Sequence, residues 1–231
     1  MGEYRQVPTD DGAFAVYLEM PKKTPAPAVV VLQEIFGIND DMRETCRELA
    51  NQGFVALCPD LFWRQEPGVA LNSWSEAEWK KGLSLYQNFN RDLGVEDTGA
   101  AISAARALPE CNGKVGVMGF CLGGLMTFLT AARTDVDAAS AYYGGETDQY
   151  LAEANTLDIP IIMHLGTEDE FISVEAQSAI TAAMSPKSNA TVYSYPGCSH
   201  AFARHTGHHY DATAAALANK RTYDLFRREL A

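Results

Sequence analysis

The most reactive arrangement in the chain is Gly119-Phe120-Cys121-Leu122-Gly123-Gly124, entered from the β-rich run Lys114 to Met118 and left through the apolar run Leu125 to Leu129. Strand, sharp turn and helix in that order make a nucleophile elbow. Small flanking residues let strand and helix come close, while the central residue projects over the sheet from strained backbone. Here it is Cys121, where serine is usual. At a helix N-terminus the dipole and the free N–H groups favour the thiolate, the nucleophilic form. The alternative on this motif alone, less favoured, is that Cys121 is a small buried hydrophobe, as free cysteines often are.

The partners of such a nucleophile are an acid and then a histidine, each just past a later strand. Asp169 follows the apolar run Ile159 to Leu165 and lies 48 residues after Cys121. Glu168 and Glu170 flank it, so order and position select it more than chemistry does. His200 comes 31 residues later, past the β-rich run Ala190 to Tyr195, where the general base belongs. An oxyanion hole needs two backbone N–H groups, one from the residue after the nucleophile, Leu122, and one from the loop after an early strand. Gln33-Glu34-Ile35-Phe36-Gly37 is that loop, with Ile35 as the second donor. Glu34 then faces the same cavity, where a carboxylate beside a thiolate disfavours both charges.

These residues need a sheet to carry them. The continuous apolar run Ala28 to Leu32 predicts a central strand buried on both faces. Phe14 to Leu18 predicts a strand before it, with the Pro-rich 21–27 stretch as the turn between. A helix from about Asp40 to Gln52, ended by Gly53, leads to a strand at Phe54 to Leu57. Two further helices follow, one carrying Trp79, Leu83 and Tyr86 at helical spacing and one over the alanine-rich Gly99 to Leu108, both expected to pack on the sheet. Strands at 114–118, 136–143, 159–165 and 190–195 alternate with helices, and a C-terminal helix closes the chain. The pattern predicts one α/β domain over residues 1–231, an α/β-hydrolase fold with a mostly parallel, doubly wound sheet and helices on both faces. Ligands of such sheets sit outside the carboxyl ends of the strands.

The 231 residues suffice for one large domain, and 47% hydrophobic with 21% charged residues sets disorder and fibrous classes aside. With 18 basic against 30 acidic side chains the net charge is −12, which repels phosphate backbones, so no nucleic-acid partner is expected. The start lacks the apolar region of a signal peptide, and no run approaches the roughly 18 apolar residues of a membrane span. The expectation is a cytoplasmic protein with no membrane partner, a monomer or weak homo-oligomer. Five scattered cysteines, with no CxxC pair, read as reduced thiols.

Taken together, Gln33 to Gly37, Cys58-Pro59-Asp60-Leu61, Gly119 to Gly124, Tyr142-Tyr143-Gly144 and His200-Ala201-Phe202-Ala203-Arg204 resemble the dienelactone hydrolase family over nearly the whole chain. The resemblance implies hydrolysis of an enol-lactone, dienelactone to maleylacetate, in the catabolism of chlorinated and other catechols, through a cysteine acyl-enzyme with no cofactor or metal. It implies that Cys121 is the nucleophile, His200 the base and Asp169 its orienter. It also implies that Glu34 keeps the resting thiol protonated and is drawn off when the substrate carboxylate engages Arg204. Phe36, Trp79 and Tyr143 join Arg204 as substrate-binding candidates. There is one departure: the family's second carboxylate-binding arginine is replaced by Trp79, with Leu83 where a tyrosine is usual. Lys80 and Lys81 are adjacent, but one or two positions turn a side chain by roughly 100° or 200° around a helix.

Trp79, Leu83 and Tyr86 can be read as the core face of their helix or as pocket lining, and the core reading is slightly favoured. In the pocket they make a site more aromatic and less cationic, tolerant of uncharged esters. A broad carboxylesterase or thioesterase with the same triad is the alternative. A more distant one is a metal-binding or redox-sensing protein using Cys198, His200, His205, His208 and His209, although their spacing fits no standard zinc module.

Overall fold

A strand whose apolar residues run without alternation must be covered on both faces, and β3 (Ala26–Leu32) lies in the middle of the sheet with Ala28 to Leu32 wholly inaccessible. The computed structural model describes residues 2–231. Around β3 are β1 (Glu3–Thr9), β2 (Gly12–Glu19), β4 (Val55–Pro59), β5 (Cys111–Phe120), β6 (Ala138–Tyr142), β7 (Ile161–Gly166) and β8 (Ala190–Tyr195), in the order β1-β2-β4-β3-β5-β6-β7-β8. β1 pairs antiparallel with β2 and β2 with β4; every pairing from β4 to β8 is parallel.

The helices are α1 (Asp40–Asn51), α2 (Glu76–Gln87), α3 (Arg91–Arg106), α4 (Leu122–Arg133), α5 (Val174–Met184) and α6 (Ala212–Glu229), with a 3-10 helix over Thr147–Thr156. α1 starts where Asn39 accepts the Met42 N–H and stops before Gly53, whose φ of 97° suits glycine. α4 is buried over nearly its whole length, as its apolar composition requires. On α6, Phe226 is fully buried, and a Cβ on Gly116 of β5 would come within 2.8 Å of its ring. Strand and helix meet closely there because glycine leaves room. Removing such a ring costs about 3–5 kcal/mol.

Beneath α6 lies a polar network inside the core. His164 is fully buried, with Nδ1 2.7 Å from the Tyr195 hydroxyl and Nε2 within 3.3 Å of Ser140 and 3.2 Å of Thr222. Thr222 also lies 2.6 Å from the Tyr142 hydroxyl, and Arg221 donates to Tyr195 at 3.1 Å. Burial, with the charge of Arg221 adding to it, pushes the His164 imidazole down to about 3, so the ring is neutral.

The expected alternation of strands and helices is present, with three differences. β1 carries Glu3, Arg5 and Gln6 at an exposed edge and lacks the apolar alternation that would announce it. The 3-10 helix has too little apolar periodicity to stand out. α2, expected on the sheet, buries only Gly82 and Leu85 and stands at the carboxyl ends of the strands instead.

Candidate active site

Cys121 sits between β5 and α4 with φ 55° and ψ −113°, a conformation that costs a non-glycine residue about 1–3 kcal/mol. Its surroundings impose it. A Cβ on Gly119 would lie 2.3 Å from the Gly123 carbonyl oxygen, and one on Gly123 would lie 2.2 Å from that of Leu32, so strand, helix and β3 touch through bare backbone. Gly123 N–H donates to Gln33 O at 3.0 Å, which ties the elbow to the loop after β3. The Leu122 and Ile35 N–H groups have no acceptor among the described residues, as an oxyanion hole requires.

Asp169 and His200 come from the loops after β7 and β8. Of the three adjacent acids, Glu168 and Glu170 are exposed and Asp169 is buried. Its Oδ1 accepts the Phe171 and Ile172 N–H groups at 2.8 and 3.1 Å, and its oxygens face His200 Nδ1 at 2.8 and 3.1 Å. That bond puts the proton on Nδ1 and turns Nε2 toward the thiol. The rings of Tyr143 and Phe171 meet the imidazole edge-on at 5.1 and 4.9 Å. Burial alone would lower the His200 titration, but the charge of the Cys121 thiolate and the bond to Asp169 push it up to about 10.

Glu34 and Arg204 meet 170 residues apart in sequence. Arg204 Nε donates to Glu34 Oε2 at 2.6 Å, with side chains only 9% and 2% exposed. Burial opposes the charge on Arg204, and the Glu34 carboxylate more than restores it, holding the guanidinium protonated. The second oxygen, Glu34 Oε1, is buried without a partner among the described residues. Glu34 therefore rests on Arg204, where the family resemblance led us to expect it on the thiol. The charge-assisted bond to the guanidinium holds the carboxylate there.

A cavity of about 180 Å³ opens over Cys121, walled by Trp79, Leu83, Tyr86, Glu146, Phe171 and Arg204. Trp79, Leu83 and Tyr86 thus line the pocket; the core face expected of them belongs to Gly82 and Leu85, and Leu83 is 40% exposed. Trp79 stacks edge-on against Phe36 at 5.3 Å, and the Arg204 guanidinium covers the same ring at 5.0 Å. Phe36 and Tyr143, expected at the substrate, stand one layer behind. Both are fully buried, Phe36 beneath Trp79 and Arg204, and Tyr143 beneath His200 and Phe202. Burial, and after it the Glu34 charge, raise the Tyr143 phenol well above its usual range, and its hydroxyl has no partner among the described residues.

Sequence reasoning passed over Glu146 and Phe171. Glu146 adopts φ 63° just after Tyr142-Tyr143-Gly144-Gly145 and pairs with Arg91 at 2.6 Å. Its only signal was a position past a strand end. Phe171 lies two residues beyond Asp169, on the same loop.

The C-terminal histidines face separate partners. His205 lies 3.6 Å from Glu48, His209 lies 3.6 Å from Glu170, and His208 packs on Trp74, while Cys198 is buried. No three His, Cys, Asp or Glu side chains form a metal-binding group among the described residues. No helix among these residues is long and apolar enough to cross a membrane.

A model of the dienelactone hydrolase family matches residues 14–230. A carboxymethylenebutenolidase of Pseudomonas putida is 41% identical over 216 residues, covering 94% of this chain and 92% of its own. Carboxymethylenebutenolidase 1 of Cupriavidus pinatubonensis is 39% identical over 214 residues, covering 93% and 91%. A crystal structure from Klebsiella pneumoniae, provisionally named a dienelactone hydrolase, superposes with a TM-score of 0.87 at 26% identity, covering 99% of this chain and 98% of that one.

Proposed function

This chain belongs to the dienelactone hydrolase family, and we propose that it hydrolyses a lactone or carboxylic ester, with dienelactone, opened to maleylacetate, as the leading substrate. The observation that carries this reading is Cys121 in strained backbone at a helix N-terminus, beside an imidazole whose far nitrogen is bound by a buried aspartate.

The reaction proceeds by transfer of the acyl group to sulfur. Cys121 Sγ attacks the carbonyl carbon as thiolate, its proton held on His200 Nε2. The oxyanion forms against the Leu122 and Ile35 N–H groups. As the tetrahedral intermediate collapses, the carbon–oxygen bond of the ring breaks and the leaving oxygen takes the proton from His200. A water then gives its proton to His200 and attacks the thioester, and the carbon–sulfur bond breaks to restore the thiol. Asp169 keeps Nδ1 protonated and stabilises the imidazolium throughout.

Arg204 receives a substrate carboxylate, for which Glu34 must give way. With Trp79 at the second arginine's place, anion recognition rests on this one guanidinium. The apolar walls Trp79, Leu83 and Phe171 favour a second reading, a carboxylesterase that accepts uncharged esters beside lactones. The test is hydrolysis of dienelactone beside p-nitrophenyl acetate, with and without iodoacetamide, by wild type and Trp79→Arg. Thiol-sensitive dienelactone cleavage by wild type supports the first reading. Cleavage of the acetate alone, with dienelactone activity appearing in Trp79→Arg, supports the second. Activity that survives iodoacetamide overturns both.

A further inference from the structure

Arg204 lies on the loop between β8 and α6, and that loop is fastened to α1. Thr206 donates its backbone N–H to Asp41 Oδ1 at 3.0 Å and its hydroxyl to Asp41 Oδ2 at 2.8 Å. Both oxygens of a carboxylate only 5% exposed are thus spent on one threonine. One residue earlier on the loop, His205 Nε2 lies 3.6 Å from Glu48 Oε2. Asp41 and Glu48 are seven positions apart, which places them on one face of α1 two turns from each other. Asp40, next to Asp41, is exposed and pairs within its own helix with Arg43, so burial and a distant partner distinguish Asp41.

A buried carboxylate keeps its charge only where its lone pairs are bonded, and in the first turn of α1 the helix dipole adds to that support. The segment from β3 to α1 therefore holds the Arg204 loop twice. Glu34 binds the guanidinium, and Asp41 binds the backbone two residues farther on. Of these, the Glu34 contact must be surrendered when a substrate carboxylate takes its place, whereas the Asp41 contact lies outside the exchange.

We propose that Asp41 and Thr206 are positioning residues for Arg204, which keep the guanidinium at the cavity wall while its partner changes from Glu34 to an anionic substrate. The inference rests on the reading of Arg204 as the carboxylate receptor. A fixed backbone removes part of the ordering that binding would otherwise require, so its loss falls on anionic ligands and spares neutral ones.

The experiment compares alkylation of Cys121 by iodoacetate, an anion, and iodoacetamide, its neutral analogue, in wild type, Arg204→Met, Thr206→Val and Thr206→Ser. Dienelactone and p-nitrophenyl acetate kinetics are measured beside it. Thr206→Val is expected to lower the iodoacetate-to-iodoacetamide rate ratio about tenfold, toward the Arg204→Met value, the size expected for one hydrogen bond to a charged group. Thr206→Ser, which keeps the hydroxyl, restores it. In Thr206→Val KM for dienelactone rises, while kcat/KM for p-nitrophenyl acetate stays within about twofold. An unchanged ratio, equal losses with both reagents, or a wild-type ratio no higher than that of Arg204→Met overturns the proposal. If wild type fails to open dienelactone but the alkylation ratio responds, the lactonase reading falls and the clamp stands. If dienelactone is opened and the ratio does not respond, the clamp falls alone.

Discussion

Acid sensitivity of the fold should trace in large part to one residue far from the reaction, His164. Its imidazole titrates near 3 in the folded chain against an ordinary 6.5, because burial and Arg221 exclude the proton. Unfolding exposes it to water, where it takes up a proton below about 6.5. The unfolded state then binds more protons than the native one, so stability is fully present above 6.5 and is lost as the pH falls from there toward 3. Each pH unit in that window costs about 1.4 kcal/mol. Between pH 7 and pH 5, where the native ring stays neutral, the loss attributable to His164 is about 2 kcal/mol. Urea unfolding of wild type and His164→Gln at the two pH values measures it. Glutamine retains a donor and an acceptor for Tyr195 and Thr222 but cannot titrate. Whatever its stability at pH 7, the variant should lose about 2 kcal/mol less than wild type on acidification. An identical loss in both proteins would show that His164 is already protonated in the core or stays neutral in the unfolded chain, and the reasoning fails.

Other variants test the site directly. Cys121→Ser should fold normally and lose hydrolysis by at least about a thousandfold, because an alkoxide is far harder to form than a thiolate; full activity would remove Cys121 from the mechanism. The Cys121 charge heads the influences that hold His200 near 10, so Cys121→Ala should bring the imidazole titration down, as followed by NMR of its ring protons. An unmoved titration would leave Asp169 as the whole cause. Arg204→Met strands the Glu34 carboxylate at 2% exposure and should destabilise by about 3–5 kcal/mol in urea, with partial recovery in Glu34→Gln/Arg204→Met. Gly123→Ala drives a methyl group into the Leu32 carbonyl, and a clear fall in Tm is expected.

The sheet and the proposed triad were legible because each leaves a signal in a short stretch of chain. The valine-rich apolar run of β3, bounded by turn signals, has the composition of a central parallel strand, and glycines on either side of Cys121 mark the place where β5, α4 and β3 touch. His200 and Asp169 were found from chain order, and burial then separated Asp169 from its acidic neighbours. What stayed hidden depends on contacts between distant residues. The Asp41–Thr206 bond joins positions 165 apart, and nothing near either residue announces it. The orientation of α2 was hidden for a related reason. Trp79, Leu83 and Tyr86 share a face, but periodicity cannot say whether that face meets the sheet or a cavity. Glu34 shows the limit of resemblance, since the competition between Arg204 and the thiol is settled by geometry.

The order of the strands also bears on how the protein fails when heated. β8 is the outermost strand on its side, paired among the described residues with β7 alone, and half-exposed along most of its length. His200 follows its end, whereas Cys121 leaves β5, which is buried from Val115 to Phe120. Edge strands open at lower free energy than the centre of a sheet. Peeling of β8 would carry His200, the proposed base, away from Cys121 while β3 to β6 remain folded. Heat inactivation should then set in below the temperature at which the sheet melts, and it should reverse on cooling for as long as the exposed strand finds no other chain to pair with.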